Sequence, residues 1–318
     1  MDGYLGLRES AAWIDLSARG KIRVLGEDRA RLLHAMTTQD IQSLSPGEGC
    51  YAFFLNAQGR ILADVNVFCR EDYFLLDTEP ATRSKLFEHI DRYIIADDVT
   101  LEDATGDLAT IAIEGPRASA ALNLLGAPVP EADFATQVWG NRTVARVNST
   151  GASGFFIFLP TAEKADLVAA LGGAGILEAT PQEARTVRIE HGRPSYGEEI
   201  TERYLVQETA QLNAVHFSKG CYLGQEIVER VRSRAQIHRV LRRLEIDLPE
   251  PAEGAPPLAG SKLKAGEADA GEIASAAFSP ALGKVVALAY VRTAFAEPGT
   301  EIRLPVSGGS GDARVVVF

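Results

Sequence analysis

The chain has 318 residues, of which 46% are hydrophobic and 24% charged, a balance that excludes a largely disordered protein. At roughly 100–200 residues per domain the length suits about two or three domains. A net charge of -11 at pH 7 repels phosphate backbones and disfavours nucleic acid as a general partner.

Three cysteines, Cys50, Cys69 and Cys221, have no C-x-x-C spacing, so neither a zinc ribbon nor a thioredoxin-like motif is indicated. An odd, irregular set argues against a secreted disulfide framework and for a reducing compartment, the cytoplasm. The start MDGYLGLRES has no signal-peptide pattern, and no run of about 18 apolar residues occurs, so no membrane span is expected.

Residues 21–25 read as a strand broken by Gly26, and Leu32, Leu33 and Met36 then fall at helical spacing between Glu27 and Thr38. The apolar runs 50–55 and 60–68 flank Asn56-Ala57-Gln58-Gly59 and predict a hairpin. A strand at 73–77 and a helix from about Ala81 to Tyr93 follow. The alternation then recurs: a strand near 109–113, a helix after Gly115-Pro116 ending near Gly126, a strand at 155–159 and a helix at 162–171. Thr180-Pro181-Gln182-Glu183 is a capping-box helix start, and Gly192 a stop. From about residue 237 the pattern changes. A Pro/Gly-rich loop at 249–260 leads into short runs at 270–277, 283–291, 300–304 and 313–318, which predict a small all-β domain, a barrel. The first two-thirds read as α+β, so residues 1–236 and 237–318 are expected to be separate units.

Several residues stand out chemically. In Lys219-Gly220-Cys221-Tyr222-Leu223-Gly224-Gln225-Glu226 two glycines let the backbone turn sharply beside a single thiol, which is either a reactive group or an inert packing residue. On a strand over 60–68, Asp64 and Asn66 share a face with Leu62 and Phe68, so Asp64 either lines a pocket or sits at an open rim. Arg230, Arg232, Arg234, His238, Arg239, Arg242 and Arg243 form a run without an acid; as a strand it would put the first three on one face, suited to carboxylate-bearing ligands or to solvent, with nucleic acid a third option that one short cluster supports only weakly. The histidines and remaining acids show no metal-ligand spacing, and no P-loop or dinucleotide fingerprint is present.

The run KGCYLGQE at 219–226 resembles the signature of the YgfZ branch of the glycine-cleavage T-protein superfamily. RGKIRVLGEDRARLLHAMTTQDI, LNAQGRILADV and RIEHGRPSYGEEITERYLVQE resemble further T-protein segments, so that the likeness spans most of residues 15–245. The resemblance implies an α+β fold of two intertwined domains around a central opening, plus a C-terminal β-barrel, with reduced folate (tetrahydrofolate) as ligand. It implies that Asp64 matches the T-protein's catalytic aspartate and that Glu208 forks onto the pterin. Arg234, Tyr196 and Glu198 would help hold the ligand, with Tyr204 a further stacking candidate. T-proteins carry an Asp-Asp pair where this chain has Ala63-Asp64. With the signature, that favours an accessory protein for iron–sulfur assembly or repair, its partners assembly or client proteins, with Cys221 the working thiol tuned by Lys219. The alternative is a folate-dependent one-carbon transferase using Asp64. A vestigial pocket that binds no folate is the third reading.

Overall fold

The computed structural model describes residues 2–234, 237–250, 258–305 and 313–318. The chain opens with α1 (Asp2–Glu9) and β1 (Ala12–Asp15), then builds a first sheet from β2 (Gly20–Leu25), β3 (Gly49–Leu55), β4 (Ile61–Cys69), β5 (Tyr73–Thr78) and β6 (Thr100–Asp103), in the order β3-β4-β5-β2-β6. Two helices cover it, α2 (Arg29–Met36) and α3 (Arg83–Asp91). Leu32, Leu33 and Met36 are buried on α2, as their spacing predicts, against Val24, Phe54, Ala63 and Val65.

The second sheet uses β7 (Leu108–Glu114), β8 (Thr136–Trp139), β9 (Arg142–Ala145), β10 (Gly154–Pro160) and β11 (Leu177–Glu178), with helices α4 (Ala118–Leu124) and α5 (Lys164–Gly173). Its order is β11-β1-β7-β10-β9-β8, so β1, made before the first sheet, lies inside the second. This interleaving gives the two α+β domains their intertwined character. Phe68 on β4 meets Phe158 on β10 edge to face at 5.4 Å, so the two sheets share core.

Helix α6 (Pro181–Glu190) starts at the predicted capping box: Glu183 N–H donates to Thr180 Oγ1 at 3.2 Å and Thr180 N–H to Glu183 Oε2 at 2.8 Å. It stops at Gly192, whose φ of 71° suits a residue without Cβ. After α7 (Gln225–Arg234) come β12 (Arg239–Ile246), β13 (Lys262–Ala265), β14 (Ala268–Ser279), β15 (Lys284–Arg292), β16 (Glu301–Leu304) and β17 (Ala313–Val317), a closed barrel ordered β12-β15-β14-β13-β16-β17. Leu244, Ile246, Ala287, Ala289, Val315 and Val317 are among its interior residues. Part of the predicted 249–260 loop lies outside the described residues.

The arginine run departs from the strand expectation. Arg230, Arg232 and Arg234 are on helix α7, and only Arg239–Arg243 are on a strand, β12. The reason lies one turn upstream. Glu226 pairs with Arg230 at i,i+4 (2.5 Å) and Glu229 with Arg232 at i,i+3 (3.5 Å), which supports a helix. Among the described residues no helix is long and apolar enough to cross a membrane.

Candidate functional site

A cavity of about 230 Å³ opens where the β1–β2 connection, strands β3 and β4, the turn after β5, β10 and the segment after α6 converge. Typical ligand pockets run to about 300–1,000 Å³, so this one suits a small molecule or the reacting end of a larger one.

Strand register builds its polar wall. Tyr51 on β3 stands opposite Asn66 on β4, and Asn66 opposite Asp77 on β5, so the three lie in one row; Asp64, two residues from Asn66, shares that face. Tyr51 donates its hydroxyl proton to Asp64 Oδ2 at 2.9 Å, and Asn66 donates from Nδ2 to Asp77 Oδ2 at 2.9 Å. Arg19 grips Asp77 through Nε, at 2.9 and 3.0 Å from the two carboxylate oxygens, and also pairs with Glu79. Lys21 is fully buried and donates to the carbonyls of Ser17 and Arg19, both at 2.8 Å, which fixes the chain that carries Arg19. Burial pushes the Lys21 ammonium down to about 8.

Asp64 is 9% exposed and lines the cavity, and among the described residues its Oδ1 has no hydrogen-bond partner, nor has Asn66 Oδ1. An open-rim position is thereby excluded. Burial raises its carboxyl to about 6, with Glu79 adding to the rise and Arg19 opposing it. The same burial, reinforced by the Asp64 charge, raises Tyr51 well above the ordinary phenol range. A carboxylate titrating near neutrality, with an unfilled acceptor in a cavity, is equipped to take or return a proton.

Two further networks hold the opposite wall. Buried Glu114 accepts from Ser149 N–H (2.6 Å), Ser149 Oγ (2.7 Å), Thr150 N–H (2.9 Å) and Thr150 Oγ1, pinning the loop at 148–152. Arg188 donates to the Arg193 carbonyl at 2.7 Å, to Glu199 at 2.8 and 3.1 Å and to Glu198 at 2.6 Å, fixing the turn after α6.

The structure gathers only part of the predicted site. Asp64 is at its centre. Tyr196 lies beside it, packed with Phe53 and Leu55 and donating to the Ile61 carbonyl at 3.3 Å, but it is not on the cavity lining. Glu198 is tied to Arg185 and Arg188; burial works against ionisation there, yet these guanidiniums hold its carboxyl below the usual range. Glu208 is elsewhere: its carboxylate accepts the Leu205 N–H at 2.9 Å and pairs with Arg239 Nε at 2.7 Å, with Arg239 over the stacked rings of Tyr204 and Tyr290. Those rings lie 3.7 Å apart, so Tyr290 of the barrel covers a face of Tyr204 that the sequence left free for a pterin. The side chain of Arg234 lies outside the described residues.

Lys219 and Cys221 point to different tasks. The Lys219 ammonium donates to the carbonyls of His34 and Thr37, the latter at 2.8 Å, and so satisfies the C-terminus of α2. Burial lowers it to about 8, with Asp40 pulling the other way, and its charge is felt at Cys50. Cys221 is exposed and free. The signature as a whole docks on other elements: Leu223 N–H donates to the Ala35 carbonyl at 3.0 Å, and a Cβ on Gly224, at φ 83°, would meet the Asn56 carbonyl oxygen at 2.6 Å.

Arg19, Tyr51, Asn66, Asp77, Glu79 and Arg193 were not singled out from the sequence as binding or catalytic groups. An acid interrupting the apolar run YFLLDT was the available signal for Asp77, because only a paired charge survives there.

Residues 3–219 match the GCVT N-terminal domain and residues 239–317 the glycine cleavage T-protein C-terminal barrel domain. The chain belongs to the glycine-cleavage T-protein family. Among similar members of this family are an aminomethyltransferase of Rubrobacter xylanophilus, 31% identical over 90% of this chain and 77% of that protein, and one of Synechococcus elongatus, 30% identical over 99% and 86%. The T-protein fold itself is shared with the crystal structure of glycine cleavage system aminomethyltransferase T from Bartonella henselae, at a TM-score of 0.88 and 24% identity, over 100% of this chain and 87% of that one.

Proposed function

We propose that this T-protein relative is a tetrahydrofolate-dependent one-carbon transferase in which Asp64 handles the proton. The observation that carries the reading is the buried Asp64 carboxylate on the cavity wall, with one oxygen held by Tyr51 and the other unfilled. The orphaned acceptor Asn66 Oδ1 on the same wall fits a ligand bearing N–H groups, as a reduced pterin does. Bound there, the folate supplies ring nitrogens that accept or release a one-carbon unit. The protein's share is to fix the strand face through Arg19 and Asp77, to restrict water by burial, and to exchange a proton at Asp64 Oδ1. Ala63 in place of an acid does not weaken this reading, since position 63 faces the α2 core and not the cavity.

The test is turnover of aminomethyl or methyl donors with tetrahydrofolate. Asp64→Asn is expected to lower the rate by about 10²–10⁴. An unchanged rate in that variant overturns the role of Asp64, and no saturable tetrahydrofolate binding by the native chain overturns the whole reading.

The exposed Cys221 thiol supports a second reading, the YgfZ-type accessory role in iron–sulfur protein assembly. One cysteine cannot hold a cluster whose irons normally take four ligands, so a client or assembly partner would complete it. Cys221→Ser should then fold and bind folate normally yet fail to restore iron–sulfur enzyme activity in cells; full restoration removes this reading.

A further inference from the structure

The charged groups on the cavity wall are almost all neutralised within the protein. Asp15 pairs with Lys164 at 2.5 Å, Arg19 with Asp77 and Glu79, and Arg188 with Glu198 and Glu199. Two are not. Among the described residues Asp64 has no cationic partner within hydrogen-bond reach and keeps Oδ1 open. Arg193, half-buried on the same lining, makes no ion pair or side-chain hydrogen bond among the described residues. Its backbone carbonyl is clamped by Arg188, so the root of the side chain is fixed while the guanidinium is left open. Its charge acts on both Asp64 and Tyr51, which puts it on the working side of the cavity.

A partly desolvated cation and a buried carboxylate that do not pair with each other are both under-compensated in the empty cavity. A ligand with a carboxylate at one end and an amine at the other would neutralise both. The guanidinium fork matches a carboxylate, and Asp64 Oδ1 matches an ammonium or its N–H groups. The volume of about 230 Å³ favours a compact molecule.

We propose that the cavity seats a small amino-acid zwitterion as co-substrate, its carboxylate on Arg193 and its amine at Asp64. This rests on the transferase reading, which it deepens by naming the class of co-substrate.

Calorimetric titration of the full chain with N-methylglycine, with and without tetrahydrofolate, tests it against acetate and methylamine as half-ligands. N-methylglycine is expected to saturate the site, and each half-ligand to bind at least about tenfold more weakly, the loss of one charge-assisted contact. Arg193→Gln should weaken N-methylglycine by about 10- to 100-fold, Arg193→Lys should recover part of that, and tetrahydrofolate affinity should stay within about twofold. An unchanged thermal midpoint in Arg193→Gln is expected from the absence of partners and keeps the comparison interpretable. No saturation by N-methylglycine under either condition, native-like binding by Arg193→Gln, or a matching loss of tetrahydrofolate affinity in that variant overturns the proposal; the last would assign Arg193 to a folate carboxylate. If tetrahydrofolate fails to bind the native chain while N-methylglycine binds through Arg193, the transferase reading falls and the zwitterion seat stands.

Discussion

Replacing Asp64 by asparagine should make the protein more stable at neutral pH, a direction opposite to most substitutions of buried residues. Burial raises the carboxyl from 3.8 to about 6. The native state therefore holds a proton over a range in which the unfolded chain has lost it, so stability falls as pH rises from about 4 to about 6. At about 1.36 kcal/mol per pH unit, the charge costs about 3 kcal/mol at pH 7. Asparagine keeps an acceptor for the Tyr51 hydroxyl and nearly the same volume, but never ionises. Urea unfolding of both proteins from pH 4 to pH 8 is the assay. The two curves should nearly coincide at pH 4 and diverge by about 3 kcal/mol at pH 7, with the variant the more stable. A difference constant across that range, or a variant less stable at pH 7, would refute the claim that desolvation dominates at Asp64.

Lys219→Met leaves the His34 and Thr37 carbonyls at the end of α2 without their donor and should lower stability by about 1–2 kcal/mol in urea unfolding. Cys221→Ser, at an exposed site, should shift stability by no more than about 0.5 kcal/mol. Gly224→Ala forces a left-handed backbone and a contact with Asn56, and should cost about 2 kcal/mol or more, seen as a lower thermal midpoint. Glu208→Gln loosens Arg239 from its place over Tyr204 and Tyr290 and should destabilise the barrel contact by about 1–3 kcal/mol, with tetrahydrofolate affinity within about twofold of native; a larger folate effect without loss of stability would restore Glu208 as a ligand group.

Much of the fold was legible because it rests on local periodicity. The 55–61 hairpin, the Thr180 capping box and the glycine-punctuated barrel strands each carry their signal within a few residues. The placement of β1 was not legible: four residues, AWID, acquire their role from partners at 111–114 and 177–178. The site divides the same way. Asp64 was visible as an acid flanked by apolar strand neighbours, whereas Arg19 and Arg193 depend on where loops end up. Glu208 shows the converse. A carboxylate next to a plausible ligand motif reads as free until the fold supplies an arginine 31 residues downstream.

The interleaved first strand also bears on how the molecule is made. β1 leaves the ribosome about ninety residues before its neighbour β7. At ordinary synthesis rates that is roughly 5 to 20 seconds, during which Trp13 and Ile14, buried in the finished protein, have no sheet to join. The first sheet can close in that interval, but the second can be completed only by recovering a segment synthesised before it. Nascent chains arrested after residue 104 and before β7 ends at Glu114 should therefore carry an open, apolar strand, and a holdase chaperone would find its foothold there.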